Sequence, residues 1–105
     1  MTPRYLRVAE VRVVLGIDDA FLRDICAEGL VEIKHSAENE PVVSAADAER
    51  LRVITVLMRE LDVNLAGAEV ILHMREDFCA LQRQFDEVLR TLVAELRGRL
   101  PGGGE

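Results

Sequence analysis

Apolar residues recur at helical spacing near the start of the chain and predict two short helices joined by a tight turn. The first helix is predicted over residues 8–15 from four apolar positions, Val8, Val11, Val14 and Leu15. Gly16 is expected to end it, because glycine accepts a left-handed backbone conformation. The second helix is predicted over residues 19–28, with Asp18 or Asp19 as its cap and Gly29 after its end. Its inward positions are predicted to be Phe21, Leu22, Ile25 and Cys26. A helix, a tight turn and a second helix are typical of a helix-turn-helix unit.

Two short β-like runs, residues 31–34 and 41–43, surround a polar tip and predict a small hairpin wing. The segment Ser44-Ala45-Ala46-Asp47 is a variant of the capping box, with Asp in the place of the usual Glu. It is expected to open a third helix that runs to about Leu61. The inner stripe of this helix is predicted to be Ala48, Leu51, Ile54, Thr55, Met58 and Leu61.

A long last helix is predicted over residues 65–100, with Asn64 as its cap. Its apolar positions alternate in steps of three and four, which is a heptad seam. The predicted dimerisation residues are Ile71, Met74, Phe78, Leu81, Phe85, Val88 and Leu92. A second copy of the chain would cover this seam, so the pattern predicts a homodimer. The alternative is a helix that folds back on its own domain.

Composition agrees with one compact domain around an aliphatic core. The chain has 105 residues, of which 50% are hydrophobic and only 4% aromatic. The predicted fold is mainly α, a winged helix-turn-helix with a small β wing and a long C-terminal dimerisation helix. The winged domain is predicted over residues 1–64, the helix continuous with it over residues 65–100, and a flexible tail over residues 101–105.

The charge of the chain argues against nucleic acid as a partner. The formal net charge is −6, and residues 18–40 hold two basic residues, Arg23 and Lys34, against seven acidic ones. Most affinity for DNA comes from Lys and Arg that neutralise phosphates, so we expect neither direct nucleic-acid binding nor binding to an anionic membrane. The predicted partner-binding patch, suited to a basic protein surface, is Asp18, Asp19, Asp24, Glu28 and Glu32. A second acidic candidate is Glu60, Asp62 and Glu69.

Catalysis, metal binding and cofactor binding have little support in the residues. Neither His35 nor His73 has a Cys or His at ligand spacing, and no glycine-rich phosphate loop lies between a strand and a helix. We therefore expect no enzyme activity, no catalytic residue, no metal and no cofactor. Cys26 and Cys79 lie far apart without a CxxC partner, which indicates reduced thiols. With no signal peptide and no membrane-spanning run, a cytoplasmic location is expected.

The order of predicted elements resembles the MerR-type winged-helix family over about residues 5–73. The residues that carry the resemblance are Val8…Glu10-Val11…Gly16-Ile17, Leu22-Arg23, Gly29-Leu30-Val31, Ser44…Asp47…Arg50-Leu51 and Asn64-Leu65…Ile71-Leu72. DNA-reading members of that family carry a polar Ser or Thr and aromatic residues beside the arginine of the second helix, and a Tyr-Arg-x-Tyr run in the second wing strand. This chain departs from both patterns, with Phe21, Asp24 and Ile25 at the first and Glu40-Pro41-Val42-Val43 at the second. Few donors for phosphates or base edges remain. Arg23, which has acidic neighbours, could as easily form an ion pair within the chain as a contact with DNA.

The second half of the chain is similar to the chaperone-modulator proteins, small MerR-like bacterial proteins. The matching residues are Asp47-Ala48…Arg52-Val53…Val56…Met58-Arg59-Glu60-Leu61-Asp62-Val63-Asn64…Gly67…Val70-Ile71-Leu72-His73-Met74, followed by Leu81-Gln82-Arg83…Leu89-Arg90…Leu96. The resemblance implies a homodimer that docks on the J domain of a DnaJ-type co-chaperone, covers its positively charged second helix, and inhibits its co-chaperone and DNA-binding activities. The alternative is a MerR-type DNA-binding transcriptional regulator. A third class, an effector-binding module with a pocket between the third and fourth helices, has no polar constellation to support it.

Overall fold

The computed structural model describes residues 4–99. Its strands are β1 (Tyr5–Arg7), β2 (Lys34–His35) and β3 (Pro41–Ser44), and its helices are α1 (Val8–Leu15), α2 (Asp19–Ala27), α3 (Ala45–Glu60) and α4 (Leu65–Arg99). This is the predicted mainly α winged helix-turn-helix with a long C-terminal helix. The predicted tail over residues 101–105 and the predicted helix end at Leu100 lie outside the described residues.

Local capping fixes the two helices of the helix-turn-helix unit. α1 has the predicted bounds, and Gly16 ends it at a left-handed φ of 66°. Asp18, rather than Asp19, caps α2, because its Oδ1 accepts a hydrogen bond of 2.8 Å from the Phe21 N–H. α2 ends at Ala27, one residue before the predicted end at Glu28, and Gly29 follows with a φ of 75°.

The wing is part of a three-stranded antiparallel sheet with the order β1-β3-β2. Val42, in the central strand, is paired with Arg7 on one side and with Lys34 on the other. The first wing strand therefore lies at Lys34–His35, and the prediction of a strand over residues 31–34 was wrong for its first three positions. The physical reason is that the Glu32 N–H donates to the Asp47 side chain instead of to a neighbouring strand, while Val31, only 4% exposed, packs into the core.

One aliphatic core joins α1, α2, the wing, α3 and the start of α4. Its buried members are Val8, Val11, Ile17, Leu22, Ile25, Leu30, Val31, Val43, Leu51, Val53, Ile54, Leu57, Ala68 and Leu72. Leu61 was predicted to face inward from α3, but 63% of it is exposed, because the helix ends at Glu60 and Leu61 is already its C-cap residue. Val53 and Leu57 are buried although the predicted stripe omitted them.

α4 begins at the predicted cap, where Asn64 Oδ1 accepts a 2.8 Å hydrogen bond from the Gly67 N–H. Within residues 4–99 the chain divides into two compact units, one ending at Leu72 and the other starting at His73. Leu72, in the first unit, is fully buried. Every described side chain from residue 81 onward is exposed. The predicted seam residues are between 39% and 64% exposed, so the single chain leaves the seam uncovered.

Candidate functional site

Five exposed carboxylates lie at the N-cap of α2, on the helix and in the segment after it: Asp18, Asp19, Asp24, Glu28 and Glu32. We call this set the acidic head. Leu22 and Ile25, 3% and 1% exposed, hold the opposite side of α2 in the core, so these carboxylates are directed to solvent. Glu28, the C-cap residue of α2, donates its N–H to the Asp24 carbonyl, so the two side chains lie one turn apart on the same side of the helix. At 100° per residue Asp19 lies about 140° around the helix from Asp24, so the head is not one continuous patch.

Asp18 and Asp19 both have structural partners within the chain. The Asp18 carboxylate is the cap of α2. The Asp19 carboxylate accepts a hydrogen bond from Arg23 and lies 4.0 Å from the Arg12 guanidinium. The hydrogen bond and the charge of Arg23 hold the pKa of Asp19 below its ordinary value, and the charge of Arg12 adds a smaller lowering. The same pair raises the pKa of Arg23, which confirms the predicted possibility that Arg23 forms an intramolecular ion pair.

Lys34, the other basic residue near the acidic head, is also engaged within the chain. Its Nζ lies 3.5 Å from the Tyr5 hydroxyl and 5.8 Å from the centre of the Tyr5 ring. Within residues 4–99, in contrast, Asp24, Glu28 and Glu32 form no salt bridge. Asp19 thus partly neutralises Arg23, Lys34 lies against an uncharged ring, and three carboxylates of the acidic head present their charge outward.

Asp47 ties the start of α3 to the segment that carries Glu32. Ser44 Oγ accepts the Asp47 N–H at 3.0 Å, as expected of a capping box. The Asp47 side chain, however, accepts the Glu32 N–H at 3.0 Å, and Arg50 donates to the Leu30 carbonyl at 2.8 Å. The sequence analysis missed this link, although the acid at the last position of the capping box, Asp47, was a signal for a polar contact there. Glu32 therefore has a fixed backbone position.

Cys26, on α2, lies in a setting that keeps it protonated. Its pKa is raised first by burial and then by the nearby charge of Asp47. Both Cys26 and Cys79 are free and half-buried. Among residues 4–99 no group of three His, Cys, Asp or Glu side chains is placed to hold a metal ion. No helix in that same range combines the length and the hydropathy that a membrane crossing requires.

An apolar groove of about 350 Å³ lies between α1 and α3. The residues around it are Leu6, Glu10, Val11, Val14, Leu15, Ala45, Ala48, Glu49 and Arg52. Val14 was grouped with the apolar spacing of α1, yet it is 82% exposed at the groove. Spacing alone could not show this, because Val8, Val11 and Leu15 already fill the side of α1 that meets the core.

The family model for the MerR HTH family of regulatory proteins matches residues 6–90. The chain belongs to this family. The match covers the helix-turn-helix unit, the wing, α3 and most of α4, and it confirms the MerR-like part of the predicted resemblance. No curated protein matches the chain. The MerR family assignment indicates a regulatory protein and leaves the kind of partner to be inferred from the surface.

Proposed function

We propose that this MerR-family protein is a chaperone modulator. It binds, as a homodimer, the J domain of a DnaJ-type co-chaperone and inhibits the co-chaperone and DNA-binding activities of that partner. The observation that carries the proposal is the state of the acidic head. Arg23 and Lys34 are engaged by Asp19 and Tyr5, while Asp24 and Glu28 stand exposed on one side of α2.

Opposite charge gives this surface a preference for a basic protein. Exposed carboxylates steer a positively charged partner and set its orientation, and they repel the phosphates of DNA. The resemblance to chaperone modulators supplies a partner of that kind, because J domains present a positively charged second helix. A protein that covers this helix competes with the chaperone that the J domain normally contacts, which would account for inhibition.

The homodimer is supported by the uncovered seam on α4. Phe78, Leu81 and Phe85 are each more than 60% exposed along a heptad repeat. An apolar stripe of this length is costly in water and is covered when two such helices pack together. Sedimentation equilibrium should give a dimer for the native chain and a monomer for Leu81→Arg with Phe85→Arg. A monomeric native chain would refute this part of the proposal.

The second candidate is a MerR-type DNA-binding transcriptional regulator, and family membership favours it. In that case basic residues on α1, on α2 and in the wing, such as Arg12, Arg23 and Lys34, would have to contact phosphates. All three already have partners within the chain. Electrophoretic mobility shift with duplex DNA at two salt concentrations separates the candidates, because a salt-sensitive shift supports the regulator.

The test of the proposed function is titration calorimetry with an isolated J domain of a DnaJ-type co-chaperone. The variant Asp24→Lys with Glu28→Lys should weaken binding by about tenfold, since it reverses two exposed charges. The control is Asp86→Lys with Glu87→Lys on α4, which makes the same change in net charge on exposed residues outside the seam. The control should bind within about twofold of the native chain. Absence of native binding would refute the proposal, and equal loss in both variants would show that only net charge matters.

A further inference from the structure

The segment that joins α2 to β2, residues 28–33, forms neither helix nor strand. It carries Glu32, one of the outward carboxylates of the acidic head, directly after the buried Val31. In the part of the chain that the structure describes, no turn or loop hydrogen bond between backbone groups involves residues 31–33. A segment without such bonds is free to change its backbone direction unless side chains hold it. The position of the Glu32 carboxylate therefore depends on contacts with another element.

Two side chains of α3 provide these contacts. The Glu32 N–H donates to Asp47 Oδ2 at 3.0 Å. Arg50 Nη1 donates to the Leu30 carbonyl at 2.8 Å. Asp47 and Arg50 are three residues apart, so they project from the same side of the helix. The helix itself is fixed in the core, where Leu51 is only 1% exposed. A rigid helix thus supplies both an acceptor and a donor to the backbone of this segment.

The Asp47 carboxylate is available to Glu32 because the capping box at the start of α3 is unusual. In the common form of the box, the acid at its last position accepts a hydrogen bond from the N–H of the cap residue. The cap residue Ser44 is here also the last residue of β3, paired with Tyr5. The side chain of Asp47 is one methylene shorter than the usual Glu, and its carboxylate accepts the Glu32 N–H instead. Because Asp47 is half-buried, this bond is partly shielded from water and is stronger than an exposed one.

We infer that Asp47 is a positioning residue of the partner contact. It holds the Glu32 backbone, so that the Glu32 carboxylate keeps one position relative to α2 and the rest of the acidic head. The inference rests on the proposed function, in which this head meets a basic J domain. A charge that is held in place before binding loses less conformational freedom when it pairs with a basic group, and this raises affinity. Asp47 acts through Glu32 and does not itself touch the partner.

A double-mutant cycle, measured by calorimetry against the isolated J domain, tests this inference. Asp47→Ala should weaken binding by about fivefold, because the Glu32 N–H loses its acceptor. Asp47→Asn removes the same charge but keeps an acceptor oxygen, so it should restore binding to within about twofold of the native chain. In a Glu32→Gln background, Asp47→Ala should change affinity by less than about twofold, since the carboxylate through which it acts is gone.

The control for lost stability is Gly67→Ala, whose new Cβ would crowd Val63 at the start of α4, away from this segment. It should bind within about twofold of the native chain. Circular dichroism melts accompany each titration. Asp47→Glu keeps the charge but lengthens the side chain, so that it can return to Ser44 as in the common capping box. It should weaken binding by about threefold, and it decides the result if Asp47→Ala fails to fold.

The outcomes separate this inference from the function on which it rests. Native affinity in Asp47→Ala overturns the inference and leaves the chaperone-modulator proposal standing. Equal weakening by Asp47→Asn, by Gly67→Ala, or in the Glu32→Gln background also overturns it, because charge, stability or another path would then explain the loss. Absence of binding by the native chain overturns both. A loss in Asp47→Ala that Asn restores and that disappears with the Glu32 carboxylate supports the inference.

Discussion

The link between Asp47 and Glu32 is expected to stabilise the fold and to control the reactivity of Cys26. Two substitutions separate the roles of the Asp47 side chain. In the native chain the Glu32 nitrogen lies 3.0 Å from Asp47 Oδ2. Asp47→Asn keeps an acceptor oxygen for this N–H but removes the charge. Asp47→Ala removes both. Because Asp47 also lies in the first turn of α3, its charge interacts favourably with the helix N-terminus.

The size of each effect follows from the contacts. A hydrogen bond to a charged acceptor contributes about 1.5–3 kcal/mol, and a charge in the first turn contributes about 0.3–1 kcal/mol. Asp47 is half-buried, so the lower part of these ranges applies. The free energy of unfolding should fall by about 1 kcal/mol for Asp47→Asn and by about 2 kcal/mol for Asp47→Ala. Asp24→Asn, at an exposed position without a salt bridge, should change it by less than about 0.5 kcal/mol.

Urea unfolding at one fixed protein concentration measures these differences, and thiol alkylation gives an independent check. In a Cys79→Ala background, the pH profile of Cys26 alkylation reports the pKa of that thiol. Asp47→Asn should lower the pKa of Cys26, because the charge of Asp47 is one of the two causes that raise it. Burial, the other cause, should still keep this pKa above the ordinary value of a thiol. Equal stabilities for the Asn and Ala variants, or an unchanged alkylation profile, would refute the assigned contacts.

Three further substitutions test the caps and the ion pair. Ser44→Ala should lower the free energy of unfolding by about 1 kcal/mol in urea, and no change would mean that the cap contributes nothing. Gly67→Ala should destabilise by about 1–2 kcal/mol despite the better helix propensity of alanine, because the new Cβ would lie 2.8 Å from Val63 Cγ1; stabilisation would contradict this. Arg23→Ala should return the pKa of Asp19 to its ordinary range in an NMR titration. The pair stabilises the fold above about pH 4, and this stabilisation is lost as pH falls through the lowered pKa. If the substitution left the loss of stability at acidic pH unchanged, the pair would have no such role.

Features that depend on neighbouring residues were predictable from the sequence. The bounds of α1, the left-handed Gly16, the Ser44 cap and the Asn64 cap all follow from side chains within four positions of the backbone groups they serve. Because these local signals mark where each helix begins and ends, the MerR-like order of elements was also predictable. The physical reason is that helix ends have unpaired backbone groups, and only a few residue types close to them in sequence can satisfy these groups.

Features that depend on distant residues were not predictable in the same way. The extended entry at Tyr5–Arg7 becomes a strand only because β3, more than thirty residues later, pairs with it. The Glu32 contact with Asp47 spans fifteen residues. The exposure of Val14 likewise depends on α3, whose small Ala45 and Ala48 leave the facing side of α1 open. Helical periodicity gives the spacing of apolar residues, whereas tertiary packing decides which of them meet the core.

Asp18 and Asp19 carry negative charge on the acidic head and also hold structure, as the cap of α2 and as the partner of Arg23. This limits how the charge of the acidic head can change in evolution. Asn or Ser at Asp18 would keep the cap of α2 while removing a charge, but Lys or Arg would remove the cap itself. Reversal at Asp19 would place three positive side chains together at the turn, with Arg12 and Arg23. A lineage can therefore move from an acidic to a neutral head by single tolerated steps. A basic head would also require changes at Asp24 and Glu28, and reversal at Asp19 would require a compensating change at Arg12 in α1.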